Sequence, residues 1–276
     1  VSPSLHESFL RSRMQEFGDE HCFLCGCHIP KDSGQRTKEH VFPRWLLRDL
    51  GLWRDGVTRI DGSRIGYRKM TVPCCQECNG IDLGMIEGRV RAAHHGGIDA
   101  FAALDRRDLF LWLAKIAYSL AYLAGRHARV GPVRDDGRWS PAGPLRELDS
   151  LHLLLRAASG AVTWAPDAHG PASVYVVGCL DDDEPVRRFG HLDDPPVPMI
   201  GLRVGAIGVV GVLQDWGRSE AMGPPQPCGP SGAPLDAEQF RELYRRIAER
   251  AAEIGRPTTV EFVGGDVVEV RPVAAC

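Results

Sequence analysis

Apolar residues between positions 99 and 125 fall at Phe101, Leu104, Leu109, Leu111, Leu113, Ile116, Leu120 and Leu123, close enough to cover a helix on almost every side. The pattern predicts one long buried helix. Its heart, 109–125 (LFLWLAKIAYSLAYLAG), contains Lys115 and falls short of the roughly 20 residues that span a bilayer, so no membrane partner is expected. A short leading helix is expected over 5–20, and a second, with Pro43 in its first turn, from the spacing of Val41, Phe42, Trp45, Leu46, Leu47 and Leu50.

Beyond residue 148 the texture changes. The runs 151–164 (LHLLLRAASGAVTW), 172–180 (ASVYVVGCL) and 201–216 (GLRVGAIGVVGVLQDW) are read as strands, and the charged stretch 181–198 as a solvent-facing loop. The Pro- and Gly-rich stretch 223–234 is read as a linker or surface loop. Asp236, three residues before Gln239, predicts a capping box for a helix to about Glu253, with Gly255 and Pro257 as its stop. A closing hairpin is expected around Gly264 and Gly265. The class is α+β, divided into a cysteine-rich module over 1–95, a helical connection packing on it over 96–147, and an α+β domain of unassigned role over 148–276.

Composition is that of an ordinary globular chain, with 43% apolar and 25% charged residues. The net charge of -3 excludes a histone-like basic surface but not a local basic groove. The first 20 residues lack a secretory h-region, so a reducing, cytoplasmic setting is expected. Nine cysteines are present, six of them in two knots, CFLCGC and CCQEC, rather than spread as a disulfide framework would be. Cys22 with Cys25, and Cys75 with Cys78, form two knuckles able to aim four thiolates at one structural Zn2+. Cys27, Cys74 and His28 are nearby substitutes. Reduced structural thiols or a redox pair are the alternatives, but neither CFLC nor CQEC sits in an evident βαβ unit.

Between the knots stands QRTKEHVFPRWLLRDLG, with Glu39 and His40 adjacent. In a strand, neighbouring side chains point to opposite faces, so the two are not one hydrogen-bonded pair. CxxC, then EHVFPRWL, then CCxxCN resembles the HNH endonuclease superfamily over about residues 21–90. The divergent bacterial members write the motif as EH-x-FP, then Lys or Arg, then Trp. The resemblance implies a zinc-braced ββα-metal fold that hydrolyses DNA phosphodiester bonds. It makes His40 similar to the general base, Glu39 to the acidic metal ligand, and Asn79 to the family's terminal His or Asn. Asp82 or Glu87 would complete the shell of a hard catalytic ion, Mg2+ or Mn2+, at oxygen donors that the soft zinc thiolates do not supply. The stretch YRKMTVPC lacks the family's middle Asn, and on that departure rests the alternative of a catalytically inactive, zinc-stabilised nucleic-acid-binding module. A structural or protein-binding zinc module in a regulatory protein is a further alternative.

From Arg36 to Lys69 nine basic residues face four acidic ones, a local balance of +5 suited to a backbone groove. Arg44 and Arg48, one turn apart, with Lys38, Arg68 and Lys69, are its expected phosphate contacts, and double-stranded DNA its expected partner. A homo-oligomer or protein partner would use the C-terminal region, and the resemblance suggests mobile-element or anti-phage biology. His94 and His95 are read as a Gly-rich loop that could otherwise serve a second metal.

Overall fold

The computed structural model describes residues 20–58, 62–128, 148–164, 170–181, 183–194, 198–223, 233–255, 259–264 and 267–272. Residues 5–19 of the expected leading helix, Arg59, Gly265 of the expected hairpin turn, and most of the 223–234 loop lie outside the described residues.

The cysteine-rich part is built on two antiparallel strands, β1 (Arg36–His40) and β4 (Thr71–Cys75), in a register that sets His40 opposite Thr71 and Arg36 opposite Cys75. Between them the chain makes helix α1 (Arg44–Asp49) and a small hairpin of β2 (Gly56–Thr58) and β3 (Arg64–Gly66). Pro43 caps α1 rather than occupying its first turn, and Trp45, Leu46 and Leu47 form its buried side, as their spacing predicts. After the second knuckle a helical turn, Cys78–Leu83, runs into α2 (Gly84–His95). His94 and His95 therefore end a helix rather than sit in a loop.

The apolar text of 99–125 forms two helices, α3 (Ile98–Ala102) and α4 (Arg106–Ala128). The break falls where the Asp105 carboxylate accepts the Arg107 backbone N–H, at 2.8 Å, and so starts a new helix. Leu109, Phe110, Leu111, Trp112 and Leu113 are all buried, so α4 meets neighbours on every side. None of the described helices is long and apolar enough to cross a membrane.

The run 151–164, read as a strand, divides. Helix α5 (Asp149–Leu155) takes its first part and only β5 (Val162–Trp164) is extended, beside the C-terminal hairpin of β10 (Thr259–Gly264) and β11 (Val267–Pro272). Leu151, Leu153, Leu154 and Leu155 are all buried, and a fully buried apolar run has no period that separates helix from strand. The buried His152 ring N–H donates to the Phe23 carbonyl at 2.9 Å, tying α5 to the first cysteine knuckle.

The main sheet is antiparallel, with order β6 (Ala172–Gly178), β9 (Ile207–Leu213), β8 (Met199–Val204), β7 (Phe189–Asp194). β7 and the helical turn α6 (Pro185–Arg188) lie inside the stretch expected to be a loop. As the edge strand, β7 tolerates the charge of the exposed Asp193. α7 (Arg218–Ala221) precedes α8 (Ala237–Ile254), whose start has the expected capping box: Asp236 accepts from Glu238 and Gln239, and Gln239 reaches back to the Asp236 N–H.

Glycines let helices approach both faces of this sheet. A Cβ on Gly211 would stand 2.8 Å from Leu113 of α4, and one on Gly208 would meet the Phe240 ring of α8 at 2.7 Å and Cys179 Sγ at 2.8 Å. Gly208→Ala is therefore expected to destabilise the fold by about 1–3 kcal/mol through overpacking, read from the midpoint of urea denaturation. An unchanged midpoint would mean that α8 does not seat as closely as described.

Candidate functional site

Two sites share the β1–β4 pair. The first is the cysteine knot. The Cys22 N–H donates to the Cys27 carbonyl and the Gly26 N–H to the Cys22 carbonyl, closing a turn in which Gly26 takes a positive φ of 72°. The Phe23 N–H donates to the Pro73 carbonyl and pins this knuckle to β4. Cys22 and Cys74 place their sulfurs 3.8 Å apart, as do Cys25 and Cys75, about the separation of two thiolates on a tetrahedral Zn2+ with bonds near 2.3 Å. The Cys78 N–H donates to Cys75 Sγ.

Cys22, Cys25, Cys27 and Cys75 bring their sulfurs within 4.8 Å of one another, a set able to hold a metal ion and compatible with structural zinc. Three of these are the expected ligands, and Cys27, expected only as a substitute, is the fourth. The Cys78 thiol is in hydrogen-bonding reach of Cys22 and Cys25, and also of Asp82. His28 is exposed and turns toward Glu20 instead.

The electrostatics of the knot favour a cation. The thiols of Cys25, Cys74 and Cys78 hold Cys22 far below the ordinary thiol range, because they can donate to its thiolate. Cys25, Cys74 and Cys78 are pushed up, chiefly by their contacts with Cys22 and by burial. Protons thus let the knot carry one negative charge with ease and further ones only at a penalty. A dication is what makes several thiolates compatible there.

The second site lies at the end of β1, where alternation separates its two faces. On the inner face the Thr37 hydroxyl donates to the Cys74 carbonyl and accepts from Asn79 Nδ2, both at 2.8 Å. Two residues on, the buried Glu39 carboxylate meets the Lys115 ammonium of α4. Lys115 is 1% exposed and also donates to Glu87 at 2.8 Å, to the His40 carbonyl at 2.6 Å and to the Val41 carbonyl at 3.2 Å. Burial pushes the Glu39 carboxyl up to about 7 against the pull of Lys115, while the two carboxylates hold the ammonium charged.

That geometry gives no support to the expected catalytic-metal shell. Glu39 and Glu87 already surround a cation, Lys115. Asn79 is oriented by the bond from its Nδ2 to Thr37, and Asp82 lies at the cysteine knot. Among the described residues, only the cysteines gather three or more His, Cys, Asp or Glu ligand atoms at a common point. A catalytic Mg2+ or Mn2+ does not fit this arrangement. Lys115 was legible only as a lone cation in an apolar helix, which must find a counter-charge when buried.

His40 points to the other face, as strand alternation requires. Its ring lies 6.0 Å from that of Trp53, over which Arg44 and Arg48 stand at 5.8 and 5.2 Å. Both arginines are exposed and one helical turn apart, as expected. Trp53 carried no signal in the sequence beyond being aromatic. Burial, followed by the charges of Arg44, Lys115 and Arg48, lowers the His40 pKa to about 4, so its imidazole is neutral at physiological pH. Lys38, Arg68 and Lys69 are exposed. His94 packs on Trp45 with centroids 5.5 Å apart and His95 reaches Asp49 at 2.9 Å, so this pair anchors α2 to α1 and, among the described residues, belongs to no group of three or more ligand atoms.

One zinc per chain is expected by native mass spectrometry. It should be lost in Cys75→Ser, and Cys27→Ser and Cys78→Ser decide between the fourth ligands by which of them loses it. Lys115→Met strands buried Glu39 and is expected to lower stability by about 3–5 kcal/mol, with partial recovery in Lys115→Met/Glu39→Gln. Equal stability of wild type and Lys115→Met in urea would contradict the buried pair. The His40 ring should titrate near pH 4 in NMR spectra. Since this folded value lies below the ordinary 6.5, the contribution of the neutral ring to stability is complete above about pH 6.5 and disappears as pH falls through 4.

Compared with protein-family models, curated proteins and solved structures, the chain matches none.

Proposed function

We propose that the face around His40 binds the phosphodiester backbone of nucleic acid, double-stranded DNA in the first instance, and that His40 takes the proton of the water that attacks phosphorus. The observation that carries this reading is a neutral imidazole beside two arginines held over Trp53. Guanidinium groups neutralise phosphate oxygens, and an anion seated between them opposes the part of the His40 depression that comes from the arginines, which is second to burial. The His40 pKa then rises toward the range in which a general base is efficient near neutral pH. The resemblance of EHVFPRWL and CCQECN to the HNH motif supports the same role for His40. No recognition helix with base-reading side chains is evident, and backbone contacts position a duplex without selecting its sequence.

A second reading, binding without cleavage, is favoured by Lys115. Its ammonium lies between the carboxylates that the HNH resemblance assigns to a catalytic ion, so hydrolysis would proceed without a divalent ion at Glu39 or not at all.

Duplex binding by fluorescence anisotropy and nicking of supercoiled plasmid, each with Mg2+, Mn2+ or chelator, test the two readings together. Arg44→Gln/Arg48→Gln should weaken binding about tenfold or more and reduce the salt slope by about 2, as the loss of two phosphate contacts requires. His40→Ala should keep binding and lose nicking. Binding with no nicking by the natural chain in any condition selects the second reading. Absence of binding at low salt overturns both.

A further inference from the structure

The edge strand β7 and the start of α8 enclose an open cavity of about 470 Å3. Phe189, Leu192 and Phe240 supply an apolar wall, Arg203 of β8 a charged one, and Arg187 and Arg241 stand among the lining residues as exposed cations. The volume and the mixture of apolar surface with a few polar groups are those of small-molecule sites.

Arg203 sets this cavity apart. It is 7% exposed, and Nη2 donates to the Leu180 carbonyl at 2.5 Å. Its Nε is buried without a hydrogen-bond partner, and the guanidinium forms no ion pair among the described residues. The two acids lining the same cavity are engaged elsewhere. Asp181 holds Arg188 with both oxygens, at 2.9 and 3.1 Å, and Asp236 accepts the backbone N–H groups of Glu238 and Gln239. Arginine does not shed its charge when buried, so an unpaired guanidinium there carries a desolvation penalty that proton loss cannot relieve. An anion entering the cavity relieves it.

We infer that the cavity binds a small organic anion, with an apolar, ring-sized body against Phe189, Leu192 and Phe240 and one terminal carboxylate or phosphate on Arg203. Arg187 pairs with Glu184 and Arg241 with Glu238, both exposed, so these cations attract the ligand and Arg203 anchors it. The inference is independent of the nucleic-acid reading, since none of the residues around His40 lines this cavity.

Thermal denaturation and calorimetric titration of the full chain with phenyl phosphate, phenylacetate and the uncharged 2-phenylethanol form the test. Saturable stabilisation by one or both anions below about 10 mM, with none by the alcohol, is expected from linkage between binding and folding. The stronger anion identifies the terminal group. Arg203→Met should weaken binding about tenfold or more. Leu192→Trp, which fills the cavity and leaves every charge in place, should do the same and stands in if Arg203→Met does not fold. No saturable binding of either anion to the natural chain, equal binding of the alcohol, or unchanged affinity in a folded variant would each overturn the inference.

Discussion

A single buried ammonium organises the amino-terminal half of this protein. Lys115 reaches from α4 to the carboxylates of Glu39 on β1 and Glu87 on α2 and to the carbonyls of His40 and Val41, so three elements converge on one cation. Four oxygens compete for three N–H donors. Losing α4 would leave both carboxylates without their cation, a penalty of several kcal/mol. The Arg89–Asp108 pair, at 2.5 and 2.6 Å, fastens α2 to α4 a second time, but from a more exposed position. The ammonium also fixes the end of β1, and with it the direction in which His40 leaves the strand.

The cysteine knot solves the complementary problem. There, thiols are crowded with no cation of the chain among them, in a set able to hold a metal ion. One strand pair thus joins two cation sites of opposite kind, one filled from within by lysine and the other suited to a soft dication from outside. The buried core runs on from the knot through α4 to the main sheet without a break. Phe42, two residues after His40, meets Phe189 of β7 edge-on at 5.0 Å. Phe189 also faces the cavity of Arg203, so the two halves of the chain share a wall rather than a linker.

Local chemistry made parts of this legible in the sequence. The Cys22/Cys25/Cys75 grouping followed from spacing, the start of α8 from Asp236 and Gln239, and the opposed directions of Glu39 and His40 from the two-residue period of a strand. What escaped depends on contacts distant in sequence. The fourth thiol of the tight set, Cys27, follows from how the first turn closes, not from the CxxC spacing. The partner of Glu39 lies 76 residues away in a helix whose text is otherwise apolar. α5 was hidden because burial on every side erases periodicity, and β7 because an edge strand is free to carry charge.

The central claim is that Lys115, not a divalent ion, satisfies Glu39 and Glu87. Crystals of the protein grown in excess Mn2+ and examined by anomalous scattering would test it most directly. The account predicts an anomalous site at the cysteine knot and none beside Glu39, with the Lys115 nitrogen within hydrogen-bonding distance of both carboxylates. A manganese peak between Glu39 and Glu87, with Lys115 displaced, would contradict it and restore the expected metal shell.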